Sequence, residues 1–138
     1  MKKAVLAGLF VIGATMSAGA QDTVPSFLGT WWGDFEVALL QRSDGAAPQG
    51  QKEKLTYEIT KQEGRLLWGT VTSDQGGGTR PMVLAFSFNN GTLIGSDTHG
   101  LHRLTVISPT RMESCFTDNG SGPLIATCGV LNRAPPGQ

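Results

Sequence analysis

The sequence predicts an all-β protein, an eight-stranded antiparallel up-and-down barrel, and three observations lead to that fold class. Eight short runs carry alternating apolar residues or β-branched and aromatic residues, with no amphipathic helix of useful length between them. Turn signals separate the runs, in keeping with 19 glycines and 7 prolines among the 138 residues. The connections are short, whereas parallel neighbours would need crossovers of about a dozen residues or more.

Each strand is expected to pair with the next one along the chain as a hairpin. Closing such a meander on itself removes the exposed sheet edges, which favours a barrel over the alternative, a two-sheet β-sandwich. The expected strands, in chain order, are Thr30–Leu40, Lys52–Lys61, Leu66–Ser73, Pro81–Asn89, Thr92–Asp97, Leu101–Ile107, Arg111–Thr117 and Leu124–Arg133.

Alternation along the first four strands defines the face that each one turns to the core. The tight turn Gln62–Arg65 joins the second strand to the third. The expected inward residues are Trp31, Gly33, Phe35, Val37 and Leu39 in the first strand, Leu55, Tyr57 and Ile59 in the second, and Met82, Leu84, Phe86 and Phe88 in the fourth.

Turn chemistry sets the register of the fifth and sixth strands. Asn90-Gly91 is the strongest short hairpin signal, because a type I′ turn needs positive φ at both positions. A two-residue turn there pairs Phe88 with Leu93, and a second one at His99-Gly100 pairs Asp97 with His102.

The last two hairpins follow in the same way. A three-residue turn at Ser108–Thr110 pairs Val106 with Met112, and a turn centred on Ser121-Gly122 places Cys115 opposite Cys128. The inward face of the later strands is then Phe86, Phe88, Leu93, Leu104, Val106, Met112, Phe116 and Leu131.

The two cysteines are expected to form one structural disulfide. Directly opposed residues have the separation that a disulfide requires, and an even cysteine count in an exported chain indicates pairing. A metal site is the competing interpretation. We expect no metal site, because there is no Cys-x-x-Cys motif and the chain's two histidines, His99 and His102, are the only imidazoles.

The N-terminus predicts export. Lys2 and Lys3, a short apolar run and the small residues up to Ala20 make a cleavable signal peptide over residues 1–20, which implies a secreted or periplasmic protein. Residues 21–29 then form an N-terminal segment, 30–133 the barrel domain and 134–138 a disordered tail. Charged residues of both signs are scattered along the chain, so we expect no basic surface that could bind nucleic acid. No segment is long and apolar enough to span a membrane.

Leu28-Gly29-Thr30-Trp31 resembles the Gly-x-Trp signature of the calycin barrels, the lipocalins and avidins. The resemblance implies that Trp31 closes one barrel end and that Arg133 packs over it. Trp32-Gly33-Asp34-Phe35 does not match the biotin-contacting residues of avidins. Periplasmic inhibitors of secreted metalloproteases look similar too, and they act through a segment ahead of the first strand.

A closed end at Trp31 places the long loops, including the glycine-rich one at Asp74–Arg80, at the opposite end, where binding is expected. Asp97 and His102 face inward there, and a carboxylate beside the imidazole is expected to raise the histidine pKa. Alternatively, Asp97 caps its own turn. The candidate ligand-binding residues are Asp97, His102, Phe116, Leu84, Tyr57 and Arg80.

Enzymatic function is not expected. Ser114 shares the inward face with Asp97 and His102, but it reaches His102 only diagonally, and no nucleophile elbow or phosphate-binding motif is present. We therefore expect a non-enzymatic binding protein without a cofactor, whose partner is a small apolar or amphipathic ligand. The alternative is a module that binds a protein partner. The oligomeric state does not follow from the sequence.

Overall fold

A computed structural model describes residues 23–42, 46–118 and 120–135. The expected signal peptide and the last three residues of the expected tail lie outside that range. The strands are β1 (Gly29–Leu40), β2 (Gln49–Glu63), β3 (Leu66–Ser73), β4 (Gly78–Phe86), β5 (Thr92–Asp97), β6 (Gly100–Ser108), β7 (Arg111–Asp118) and β8 (Leu124–Arg133).

The strands form one closed antiparallel barrel in which each pairs with its sequence neighbour and β1 pairs with β8. The up-and-down barrel is therefore confirmed, and the β-sandwich alternative is wrong. Among the described residues, no helix is long and apolar enough to cross a membrane.

The expected bounds of β4 are wrong, because this strand ends at Phe86 and the chain turns over residues 87–91. The Ser87 N–H donates to the Thr92 carbonyl (2.8 Å), and Asn90 has a φ of 57°. Phe88, expected inside, lies in this loop with 87% of its surface exposed. The loop is five residues long, since β5 begins at Thr92.

The longer loop shifts the expected β4–β5 pairing by two residues, and the β5–β6 pairing is shifted by two residues because its turn lies at Thr98-His99 and not at His99-Gly100. Phe86, not Phe88, pairs with Leu93, and Gly95, not Asp97, pairs with His102. Because side chains alternate with a period of two, this shift leaves every inward residue of β5 and β6 inward. The expected pairs Val106–Met112 and Cys115–Cys128 are confirmed.

One end of the barrel is sealed by Trp31, which is 1% exposed. The guanidinium carbon of Arg133 lies 5.3 Å from the centre of its ring, as expected, and the indole Nε1–H donates to the Phe27 carbonyl at 2.9 Å. Phe27 is itself buried against Phe86, with ring centres 5.1 Å apart. Trp32 is 40% exposed, which confirms the expected register of β1.

Cys115 and Cys128 form the expected disulfide between β7 and β8, with their Cα atoms 4.1 Å apart. Cys128 is exposed on the outside of the barrel. A disulfide of this kind is typical of proteins that fold in a non-reducing compartment.

Candidate functional site

A cavity of about 170 Å³ lies at the end of the barrel opposite Trp31. Four apolar side chains form part of its wall, and polar or charged side chains form most of the rest. The lining residues are Val37, Gln51, Glu53, Leu55, Ser73, Gln75, Gly77, Arg80, His99, His102, Phe116, Asp118 and Ile125.

Asp97 uses its two carboxylate oxygens for two different tasks. Its Oδ1 accepts the backbone N–H groups of His99 (2.7 Å) and Gly100 (3.0 Å), which closes the β5–β6 turn. Its Oδ2 accepts Nε–H of Arg80 at 2.8 Å. Turn capping and an inward ionic contact, posed as alternatives by the sequence, therefore both occur.

Burial on its own would raise the pKa of Asp97, whose side chain is fully inaccessible. The hydrogen bond from Arg80 and those from the turn outweigh burial and lower the pKa to about 2. Asp97 is therefore an anion at neutral pH, and it is balanced by the guanidinium of Arg80.

His102 is 2% exposed and lies between Tyr57 and Phe116. Its Nδ1 is 3.0 Å from the Tyr57 hydroxyl. Its Nε2 is 3.2 Å from Asp97 Oδ2 but is not aligned for a hydrogen bond, and it has no partner among the described residues. Burial lowers the pKa of His102 and outweighs the opposing effect of Asp97, so the expected rise is wrong.

Tyr57 separates Ser114 from His102. Its hydroxyl is 3.0 Å from Ser114 Oγ as well as from His102 Nδ1, and both Tyr57 and Ser114 are fully buried. Burial raises the pKa of Tyr57, so the phenol stays protonated. The serine hydroxyl thus faces a phenol and not an imidazole.

The structure brings five of the six candidate ligand-binding residues together. Arg80, His102 and Phe116 line the cavity, while Asp97 and Tyr57 support them through hydrogen bonds or close contacts. Leu84 is buried in the hydrophobic core and does not line the cavity.

Glu53 and its partner Ser73 are not among the residues predicted from the sequence; the Ser73 hydroxyl donates to Glu53 Oε2 at 2.8 Å. Both line the cavity. A signal was present, since Glu53 is two residues before Leu55 and alternation places both on the inward face.

No protein-family model matches this chain, and no curated protein sequence matches it. Solved structures with the same barrel include a redesigned β-barrel at 16% identity, covering 81% of this chain and 92% of that one, with a TM-score of 0.51. Another redesigned barrel, bound to DFHBI, is 20% identical, with 80% and 94% covered and a TM-score of 0.49.

The siderocalin Ex-FABP, described as functioning through dual ligand specificities, is 13% identical, with 78% and 73% covered and a TM-score of 0.45. At these identities the likeness concerns the fold alone. The fold that the calycin-type resemblance implied, an eight-stranded barrel with Arg133 packed over Trp31, is the fold observed.

Proposed function

We propose that this protein is an exported, non-enzymatic binding protein that holds one small ligand in the cavity opposite Trp31. The observation that carries the proposal is His102 Nε2, a buried polar atom that lies near Asp97 but makes no aligned hydrogen bond within the described part of the chain, on a residue that lines an open space. Buried polar groups are nearly always paired, so an unpaired one beside a cavity indicates a partner that binds there.

The cavity volume limits the size of the ligand. A cavity of about 150 Å³ accommodates a benzene molecule, and this one measures about 170 Å³. The part of the ligand that enters the cavity is therefore about the size of one ring or a short chain. Val37, Leu55 and Phe116 form an apolar part of the cavity wall, and Glu53 and Arg80 form a charged part. A ligand that fits this cavity is therefore amphipathic.

The alternative, inhibition of a partner protein through the N-terminal segment, is less well supported. Gln62 receives the Phe27 N–H at 2.9 Å and donates to the Pro25 carbonyl at 2.9 Å. Phe27 is buried in the core. The described part of the segment is thus attached to the closed end and would have to detach before it could enter a partner.

Export is supported by the N-terminal sequence and by the disulfide. We expect the mature protein to begin at Gln21 and to be secreted or periplasmic, a result that cell fractionation and intact mass measure together. An uncleaved chain in the cytoplasm with two free thiols would contradict it.

Native mass spectrometry of protein purified from its own host tests the binding function. We expect a mass above that of the mature chain, and we expect the excess to disappear in Phe116→Trp, which fills the cavity. Trp32→Ala, on the outer face, is the matched control and keeps the excess. A bare mass for the wild type would overturn ligand binding, and an intact complex with a second protein would support the alternative.

A further inference from the structure

The tautomer of His102 follows from its neighbours. Asp97 Oδ2 is an ionised acceptor 3.2 Å from Nε2, so a lone pair on Nε2 would face a negative charge. A proton on Nε2 removes that repulsion and leaves Nδ1 to accept the Tyr57 hydroxyl proton. Ser114 then donates to the Tyr57 oxygen, and each of the three groups has a consistent role.

His102 Nε2 is therefore a hydrogen-bond donor. Its proton is held close to Asp97, yet no acceptor among the described residues is aligned with it. Arg80 also lines the cavity. Its Nε–H donates to Asp97 and its Nη1–H donates to the Gly77 carbonyl (3.3 Å). This side of the cavity suits a ligand group that accepts hydrogen bonds, and a planar carboxylate matches a guanidinium best.

Glu53 and Asp118, which also line the cavity, call for a positively charged group on the ligand. Among the described residues, Glu53 accepts a hydrogen bond from the neutral Ser73 hydroxyl, and Asp118 accepts one from the Gly120 N–H at 2.8 Å. Neither forms an ion pair with a described residue, whereas the charge of Arg80 is already balanced by Asp97. The cavity thus holds an excess of negative charge, which a plain anion would meet unfavourably.

We propose that the ligand is a small zwitterion of amino-acid size, whose carboxylate meets Arg80 and His102 and whose ammonium group meets Glu53 and Asp118. This inference rests on the proposed function and deepens it by naming the ligand class. A zwitterion supplies an aligned acceptor to the imidazole N–H, which has none among the described residues, and a cation to the two carboxylates, which form no ion pair with a described residue. A ligand with one charged group leaves one of these two sets without a partner.

Titration calorimetry of the mature, disulfide-bonded protein with matched four-carbon probes tests the assignment. The zwitterions are 2-aminobutanoate and 4-aminobutanoate, which differ in the separation of their charges, and the single-group analogues are butanoate, butylamine and butanol. We expect at least one zwitterion to bind about ten-fold tighter or more than every analogue, because charged hydrogen bonds are the strong ones. Butylamine, butanoate or butanol binding as tightly as the tighter-binding zwitterion would overturn the proposal.

Charge-neutral variants locate the ammonium group. Glu53→Gln keeps an acceptor for Ser73, and we expect it to weaken the bound zwitterion about ten-fold while leaving butanoate no weaker. Glu58→Gln is the matched control, because Glu58 is exposed on the outer face of the same strand. If Glu53→Gln and Glu58→Gln change the affinity for the zwitterion equally, the ammonium group does not lie beside Glu53.

Failure of this inference is distinguishable from failure of the proposed function. If none of the five probes binds but a host-derived ligand is still seen in the native mass, the zwitterion assignment is wrong and ligand binding stands. If the native mass is also bare, both are wrong.

Discussion

Asp97 and His102 show what a single sequence reveals at the scale of the residue. Alternation predicts that both point inward, and this holds even though their expected pairing is off by two residues. The direction of the histidine pKa shift could not be predicted, because it depends on how completely the imidazole is buried between Tyr57 and Phe116. Burial is a property of the assembled barrel and not of the local pattern.

We expect stability to fall with acid because of Asp97. Its pKa is 3.8 unfolded and about 2 folded, so its contribution is present above about pH 4 and lost as the pH falls through 2. The loss is about 2 kcal/mol in the free energy of unfolding. His102 also lowers the free energy of unfolding as the pH falls below its unfolded pKa of 6.5, because burial lowers its folded pKa.

Urea denaturation across a pH series measures the Asp97 contribution. In Asp97→Asn we expect lower stability at pH 7 and a flatter profile between pH 4 and 2. Asp34→Asn, at an exposed site on β1, is the control and keeps the wild-type profile. An equally steep profile in Asp97→Asn would show that other groups cause the fall.

We expect Trp31→Ala to lower the free energy of unfolding by about 3–5 kcal/mol, because it removes a buried aromatic plug and leaves a cavity. Trp32→Ala, at a 40% exposed position, should cost below about 1 kcal/mol. Arg133→Lys should be a poor replacement, since an ammonium group cannot lie flat over the indole. Chemical denaturation compares the three variants, and equal costs for Trp31→Ala and Trp32→Ala would contradict the assignment.

At the scale of the element, the turns of the β4–β5 and β5–β6 hairpins are not where the sequence predicts them, and the β4–β5 loop differs most. Asn90 adopts positive φ but Gly91 does not, and the loop is longer than two residues, so the expected type I′ turn is wrong. Arg65, from the β2–β3 turn, donates to the Ser87 carbonyl (2.8 Å) and to Asn90 Oδ1 (3.0 Å) and lies 4.4 Å from the Phe88 ring centre. Such contacts from a distant turn are invisible to a local pattern.

Gly95 allows β5 to lie very close to β4. A Cβ built on Gly95 would be 1.9 Å from the backbone oxygen of Val83, so Gly95→Ala must push the two strands apart. We expect a loss of about 2 kcal/mol or more. Gly50→Ala, where a Cβ would meet no atom within 4 Å, should be close to neutral. Denaturation midpoints compare them, and a neutral Gly95→Ala would contradict the close approach.

At the scale of the whole molecule, the sequence predicts the closed barrel because every strand and turn supports the same hairpin order. It does not predict the cavity. The cavity forms because the side chains of Glu53, Arg80 and Phe116, which belong to three different strands, meet around the same space. The sequence places each on a strand or loop end, but the volume left between them is set by the closure of the barrel.

Closure also determines what the disulfide does. The barrel is closed by the β1–β8 pairing, and Cys115–Cys128 joins strands that already pair as neighbours. Its effect is therefore expected mainly in the unfolded chain, where it closes a loop with a sequence separation of 13. On the chain-entropy account that loop is worth about 3 kcal/mol.

We expect reduction to lower the free energy of unfolding by about that amount while the protein stays folded, measured by denaturation with and without reductant. The Cys115→Ser, Cys128→Ser double variant should match the reduced protein and should not respond to reductant. Because the disulfide is on the outer face, ligand retention in the native mass should be unchanged. An unfolded reduced protein would mean that the disulfide, and not strand closure, holds the native barrel together.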